Sequence, residues 1–438
     1  QQPTQVMATG GEEIEPFESV PDDWNYLGLE SIDKACFAIY PDQPNPLQAT
    51  AVIKSWLGGP VPLDYISIYQ NNGDPVRGVP THWHYISYGF TDLYGDGRIH
   101  AFSGPGQLSG FGFELTFRLK KQESDDAPPM WPTALLNKLA NYVFKTGNML
   151  HYGDHIPWHK PLDEESESCI QHMLVALDPE LPSLDTPYGT LEFRQIVGVT
   201  SDEMKMAQKW KGAGVIELMA TVKEIGPLYI TDMQRSESIF QIDPNLTHQV
   251  LEGINNDGSN LGHVTAVCLW IDINMSYQSQ GLEAQGVTGL TDRMEEVEPQ
   301  TLEGVHLLFD AEAADLLLMI ARARLMKGKY FLFHNANNQS IHLIPPDCAG
   351  EEGIFVNQSE PLKFQGSYLQ IYCSESLLEQ MSAEFEVLQQ SNNEMPVYPR
   401  EFHFSEPTIL ITVWPQGQLM MDANYVSGEL DMTAVTDT

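Results

Sequence analysis

Four histidines and an aspartate fall within one short stretch of the chain: His151, Asp154, His155, His159 and, a little further on, His172. Imidazoles repeated every four residues on a helix would share a face and could hold a metal ion, as in a metal-dependent hydrolase. Gly153 and Pro157 interrupt that repeat, so no helix is expected over 151–159 and the spacing loses its geometric meaning. His82 and His84 share a face if their segment is a strand, but no third ligand accompanies them and such pairs are more often structural. Carboxylate pairs such as Asp42 with Asp64, or Glu164 with Glu165, are ordinary in a chain with 60 acids. Nucleophile elbows, phosphate loops and zinc-protease motifs are absent from the sequence. Gly104-Pro105-Gly106 and Gly110-Phe111-Gly112 fail the dinucleotide spacing, because Ser109 stands where the third glycine is needed and a strand follows.

The elements that must position these groups are legible from periodicity and punctuation. Apolar residues alternate with Gly112, Glu114, Thr116 and Arg118 from Phe111 to Leu119, which predicts a half-buried strand. Shorter strands are expected at 51–56, 83–90, 191–199 and 229–233. Pro132 opens a helix in which Leu135, Leu136, Leu139, Tyr142 and Val143 recur at three and four, and Thr200 with Glu203 forms a capping box. Irregular mixing of strands and helices predicts an α+β fold. Beyond it, a strand at 304–309, a helix at 312–327, strands at 329–334, 340–344 and 368–373 and a helix at 375–390 predict a second domain. The expected layout is a flexible terminus over 1–27, one domain over 28–263 and another over 264–426, with a flexible insertion at 278–303 and a disordered tail at 427–438.

Composition narrows the class of partner. Lys and Arg number 23 against 60 Asp and Glu, a formal charge of -37, which repels nucleic-acid phosphates and anionic membranes and favours basic protein surfaces. No apolar run approaches the roughly 18–20 residues that span a bilayer. Five cysteines, scattered and without a Cys-x-x-Cys pair, point to reduced thiols in the cytosol or nucleus. The sequons at Asn245, Asn274, Asn338 and Asn357 are then expected to be silent, since no signal peptide is legible. No cofactor is implied.

Several longer motifs carry more than composition does. Tyr40-Pro41-Asp42-Gln43-Pro44-Asn45-Pro46-Leu47-Gln48 is a proline-shaped loop, and Trp56-Leu57-Gly58-Gly59-Pro60 with Pro62-Leu63-Asp64-Tyr65 follows it. With His82-Trp83-His84-Tyr85-Ile86-Ser87, Asp92-Leu93-Tyr94-Gly95-Asp96, Ser109 to Leu119, Tyr142-Val143-Phe144 and Ile230-Thr231-Asp232-Met233, the chain resembles the Suppressor of fused family. The likeness returns more faintly from Val305 to about residue 425. It implies a non-enzymatic negative regulator of Hedgehog signalling, cytoplasmic and nuclear, that binds Gli/Ci zinc-finger transcription factors. It implies two mixed α/β domains with a cleft between them, in which a Ser-Tyr-Gly-His segment of the factor adds as a β-strand. Whether a Fused kinase and a kinesin-like scaffold join the complex is left open.

The resemblance also implies site residues. The pocket for the peptide's histidine falls on Tyr142 and Asp154, where a carboxylate beside an imidazole favours its charged form. The following acidic pair of the family falls on Leu177 and Asp178, of which only Asp178 keeps the acid. Asp257-Gly258-Ser259-Asn260-Leu261 places Val264 at the start of a cleft-lining strand and Leu316 on the second domain's first helix, as an apolar contact. The segment 278–303 is short and acidic, without the serine-rich, basic-flanked insertion of vertebrate-like members, so phosphoregulation there does not carry over. The alternative reading is the hydrolase built on His151, His155, His159 and His172.

Overall fold

The computed structural model of the chain describes residues 26–51, 58–276, 298–389 and 397–419. The first domain contains β1 (Leu47–Thr50), β2 (Tyr65–Asn71), β3 (His82–Tyr88), β4 (Leu108–Lys120), β5 (His155–Pro157), β6 (His172–Leu177), β7 (Leu184–Thr186) and β8 (Gly189–Val199). They form one sheet in the order β1-β2-β3-β4-β8-β6-β5, with β7 paired to β8. Only β4 and β8 run parallel, as a connection carrying a helix allows. Its helices are α1 (Leu27–Ile39), α2 (Trp131–Thr146), α3 (Ser201–Lys209), α4 (Gly212–Met219), α5 (Ile239–Ile242) and α6 (Asn245–Asp257).

The second domain contains β9 (His263–Thr265), β10 (Cys268–Asp272), β11 (Gln300–Thr301), β12 (Gly304–Asp310), β13 (Phe331–His334), β14 (Ser340–Ile344), β15 (Leu362–Gln365), β16 (Tyr368–Tyr372), β17 (Arg400–Ser405) and β18 (Thr408–Trp414). Two sheets result, β10-β12-β18-β17 and β11-β15-β16-β14-β13-β9. The helices α7 (Ile273–Ser276), α8 (Ala311–Ala314), α9 (Leu317–Ala323) and α10 (Glu375–Glu384) complete it, and one apolar core joins both sheets to α9 and α10.

The helix opened by Pro132 is α2, and its Leu135, Leu136, Leu139, Ala140 and Val143 are buried against the sheet until Gly147, at φ 74, turns the chain out. The expected capping box starts α3, and the buried Glu203 also accepts from Arg235 Nη2 at 2.9 Å and from the Ile239 N–H. β4 departs from the half-buried strand its alternation predicts. Phe113, Leu115, Phe117 and Leu119 do lie under α2, but Glu114, Thr116 and Arg118 on the other face are equally buried, beneath α1.

That second face holds a connected polar network. The Asp178 carboxylate accepts from Arg118 Nη2 at 2.9 Å, His84 Nε2 at 2.9 Å and Thr116 Oγ1 at 2.9 Å, and from the N–H groups of Glu180 and Leu181. His84 Nδ1 faces the Tyr40 hydroxyl at 2.8 Å, while Arg118 Nη1 meets His82 Nε2 and the Glu180 carboxylate, each at 2.9 Å. Burial and the Arg118 charge push both histidines down, His82 to about 3, which keeps them neutral. Burial alone would raise Asp178, but His84 and Arg118 overcome it and hold the carboxyl well below its usual range.

Other expectations change on contact with tertiary structure. The helix expected over 312–327 breaks into α8, α9 and a 3-10 turn, because Asp310 caps α8 through the Ala313 N–H and Leu316 turns into the core between the two pieces. The strand expected at 229–233 is a single bridge between Leu119 and Thr231. α10 ends at Glu384 and tightens into a 3-10 turn. β17 and β18 were not legible. The expected terminus, most of the 51–56 strand, most of the insertion and the tail lie outside the described residues. All five cysteines are free, and only Cys169 is exposed.

Asp178→Ala leaves Arg118 a buried charge without its principal partner, and a loss of about 3–5 kcal/mol in urea unfolding is expected. The pH dependence has a definite sign. A histidine whose folded pKa is depressed weakens folding as pH drops below the ordinary value of 6.5, because the unfolded chain takes the proton first. Asp178, also depressed, adds its loss below the ordinary value of 3.8. Stability measured by denaturation should therefore fall from pH 6.5 downward, and the lower limb should flatten in Asp178→Ala.

Candidate binding site: two open strand edges

The histidine stretch forms an edge strand and the turn before it. Gly153 has φ 90, its N–H donates to the Val175 carbonyl, and the Val175 N–H donates to the carbonyl of Asp154. Two residues thus oppose one, a G1 β-bulge that only glycine enters without strain. The alternation of an antiparallel ladder then points Asp154 and Ile156 toward β6 and turns the backbone N–H and carbonyl of His155 outward. β5 is the last strand of its sheet, so these groups face away from every strand of it.

The bulge is wedged in place from behind. A Cβ on Gly153 would meet the Ala213 nitrogen at 3.1 Å, and one on Gly212 would lie 1.9 Å from the Gly153 carbonyl oxygen, so α4 packs directly on this turn. Arg194 lies over the Phe113 ring at 4.4 Å, bonds Glu192 at 2.7 Å and donates to the Leu150 carbonyl, which fixes the approach to the turn. Asp154 caps the turn, its Oδ2 accepting the His151 N–H at 2.7 Å with the His151 ring 3.7 Å away. Its side chain keeps part of its surface in solvent. Tyr142 stands on the outer flank of α2, 47% exposed, with its hydroxyl bonded by Asn148 Nδ2 at 3.0 Å. Met149, Tyr152 and Leu177 are exposed as well, so apolar surface collects around the turn.

β9 is the matching feature of the second domain, the terminal strand of the six-stranded sheet. The Gly262 carbonyl accepts from Leu332 N–H and the Ala266 N–H donates to His334, so the even positions pair with β13 and Thr265 presents its backbone to the other side. The connection from α6 to β9 is held on both flanks. Ser259 takes the Ala323 carbonyl through its N–H and gives its own carbonyl to Arg324 Nη1 at 3.0 Å, while the Asn260 N–H reaches the Trp210 carbonyl in the first domain.

These placements revise the residue expectations. Tyr142 and Asp154 are accessible and lie at the two ends of one connection, α2 to β5. Val264 is fully buried, so only the backbone of its strand is offered. Asp178 is 5% exposed and its oxygens are taken by the internal network. Leu316 is 2% exposed, between α8 and α9. The histidines do not converge. His172 is bonded at both ring nitrogens, by the Trp158 N–H and by Ser201, and only His159 packs on it, ring to ring at 5.0 Å. Among the described residues no three His, Cys, Asp or Glu side chains are placed to hold a metal ion. The bulge and the bonded 257–260 connection were missed; Gly153 directly before Asp154 was the available signal for the first.

The chain folds as two mixed α/β domains, with β5 and β9 among the terminal strands of their sheets. Residues 59–236 match the family model described as Suppressor of fused protein, and residues 275–413 the model described as the Suppressor of Fused Gli/Ci N terminal binding domain. The chain is 40% identical to the Suppressor of fused homolog of Mus musculus and 39% to that of Homo sapiens, each over 89% of this chain and 92% of the relative. The crystal structure of Drosophila Suppressor of Fused superposes with a TM-score of 0.68 at 31% identity, covering 89% of this chain and 97% of that one. The chain belongs to the Suppressor of fused family. Among the described residues no helix is long and apolar enough to cross a membrane.

Gly153→Ala places a Cβ at positive φ against Ala213, and a cost of about 1–3 kcal/mol is expected. Hydrogen exchange offers the specific check, because the Val175 amide, which donates to Asp154, should lose protection well before amides of β3 or β4.

Proposed function

We propose that this chain restrains a Gli/Ci zinc-finger transcription factor of Hedgehog signalling, holding it in the cytoplasm and acting on it in the nucleus, without catalysing a reaction. The factor's Ser-Tyr-Gly-His segment lies as an extended strand between β5 and β9. The observation that carries this reading is the pair of terminal strands on two different sheets, one beside an accessible carboxylate and an exposed tyrosine. His155 on one side and the β9 backbone on the other supply main-chain bonds, each worth roughly 0.5–1.5 kcal/mol net, and side-chain pockets choose the sequence. Asp154 receives the ligand's imidazolium, exchanging its weak 3.7 Å approach to His151 for a charge-assisted bond. The chain's net charge of -37 favours association with a basic DNA-binding partner.

A strand bonded to both domains favours the arrangement that brings the two edges together, and the 257–260 connection is where that adjustment takes place. Small-angle scattering should report smaller dimensions with peptide than without.

Calorimetric titration of a Ser-Tyr-Gly-His peptide tests the site. Asp154→Arg should lose at least about tenfold in affinity, as expected for a charge-assisted contact of about 1.5–3 kcal/mol, while the lost bond to the His151 N–H lowers the melting temperature by only a few degrees. Equal binding by both proteins would overturn the assignment. The ligand histidine's pKa is raised on binding, so affinity should be full below about 6.5, decline as pH rises from there to the bound value, and level off above it. Burial holds His155 below its ordinary pKa, so it stays neutral over most of that range.

A further inference from the structure

A groove of about 410 Å³ opens at the start of α2, about three turns along that helix from Tyr142. Leu119, Pro129, Trp131 and Met233 give it an apolar lining, and Asp125, Asp163 and Glu167 stand along it. We propose that this groove receives an arginine-bearing segment of a partner protein, the guanidinium lying on the Trp131 ring and the three carboxylates meeting its charge. This is a second surface, and it does not rest on strand addition at β5 and β9.

Trp131 lacks the cover that its counterparts have. Every other tryptophan described in the first domain carries a lysine of this chain over its ring: Lys121 on Trp83 at 4.8 Å, Lys160 on Trp158 at 5.4 Å and Lys211 on Trp210 at 5.2 Å. Trp131 is only partly buried, and its ring meets the Phe117 ring edge-on at 5.5 Å, with no cation over it among the described residues. The charge along the groove is equally one-sided. Both of its cations are already paired, Lys120 with Asp232 at 2.7 Å and Arg235 with the buried Glu203 at 2.9 Å. Asp125, Asp163 and Glu167 have no cationic partner among the described residues. Unpaired negative charge beside an uncovered indole is the setting in which a cation is held.

The walls are set before any ligand arrives. Ser168 Oγ donates to the Met233 carbonyl at 2.6 Å, which ties the 163–169 loop to the 231–236 segment. Asp163 Oδ1 accepts from Ser166 Oγ at 2.9 Å, and Asp125 Oδ2 accepts the Gln122 N–H at 2.9 Å. Each carboxylate is thus oriented through one oxygen, and the other has no bond among the described residues. A planar guanidinium can stack on the indole and bond carboxylates at its edge, whereas an ammonium is a point charge, so arginine fits better than lysine. A divalent metal ion fits worse still, since among the described residues no three His, Cys, Asp or Glu side chains are placed to hold one.

The test uses the full chain in about 0.15 M salt, where long-range attraction to any basic peptide is screened. The probe is the peptide Ac-Ala-Arg-Ala-Arg-Ala-NH2, with lysine or neutral citrulline in place of arginine as its controls. Cys169 lines the groove and is the one exposed cysteine, so its alkylation rate reports occupancy. The arginine peptide should slow that alkylation saturably and shift the indole resonance of Trp131, assigned by its loss in Trp131→Phe. The lysine peptide should bind at least about threefold more weakly, and the citrulline peptide should have no effect. Trp131→Leu should weaken binding by about fivefold, the scale of an exposed cation on an aromatic face. If that variant does not fold, the exposed Glu167→Lys serves the same purpose, with a loss of about fivefold at an unchanged melting temperature. Asp154→Arg should respond as the parent does, which separates this surface from the strand-addition site. A thiol and an indole unaffected by millimolar peptide, equal binding of the lysine peptide, an undiminished response in Glu167→Lys, or a response lost in Asp154→Arg would each overturn the proposal.

Discussion

A charged residue buried in a sheet is the constraint on which the first domain depends. Arg118 is fully buried on β4, and desolvating a guanidinium is tolerable only when its charge is met nearby; its two Nη groups are bonded, while its Nε has no partner among the described residues. Asp178 meets that charge from the end of β6, and Glu180 adds a second carboxylate from the loop beyond. The pairing couples strands that are distant in sequence and sets where β6 ends relative to β4. β6 is the strand on which β5 hangs. An ion pair remote from the solvent edge therefore fixes the register of the edge itself. The two neutral histidines complete the arrangement without adding charge, His84 Nδ1 accepting from the Tyr40 hydroxyl and His82 Nδ1 donating to the Pro80 carbonyl.

This division of labour explains why the most chemical-looking residues are not placed for chemistry. His82, His84, Arg118 and Asp178 would attract attention in any search for acid–base catalysis, yet each is consumed by a partner within the fold. Glu114 is similar. Burial pushes its carboxyl up to about 7, against hydroxyl and amide donors from Ser87, Gly89 and Thr91 that favour the charged form. These donors make Glu114 a stay for the turn after β3, with no side left for a substrate. β5 and β9 are among the terminal strands of their sheets, and on the proposed reading it is their backbone that recognises extended chain.

Much of this was legible in the sequence where local physics and tertiary packing agree. α2 follows from Pro132, the three-four repeat and Gly147, and α3 from its capping box, because those signals act within a few residues. β4 was placed correctly and half misread, since alternation tells which residues share a face but not whether the polar face meets water. The 312–327 helix failed for a related reason: its apolar residues were read as one stripe, whereas Leu316 is drawn inward and Asp310 starts a separate turn. Asp178 and Leu316 came from resemblance, which gives position in the chain without giving the direction of the side chain. Tyr142 stood as readily for core as for site, and its exposure on the flank of α2 leaves the side chain available. The bulge at Gly153 is two residues long, and no periodicity reports it.

The shortness of both edges has an energetic consequence. β5 and β9 are three residues each, so a ligand strand on either one alone gains a few main-chain bonds at about 1 kcal/mol apiece. Association costs roughly 4–15 kcal/mol in lost freedom before any such gain is counted, so neither edge can retain a flexible segment alone. In the proposed binding mode, simultaneous bonding to both, with a side-chain anchor at Asp154, is what brings the sum into a useful range. On that reading retention depends on the two domains being able to approach together, and the bonds that span the 257–260 connection matter to affinity as much as the residues that touch the ligand. An influence that separates the domains would then release the segment without altering a single contact residue.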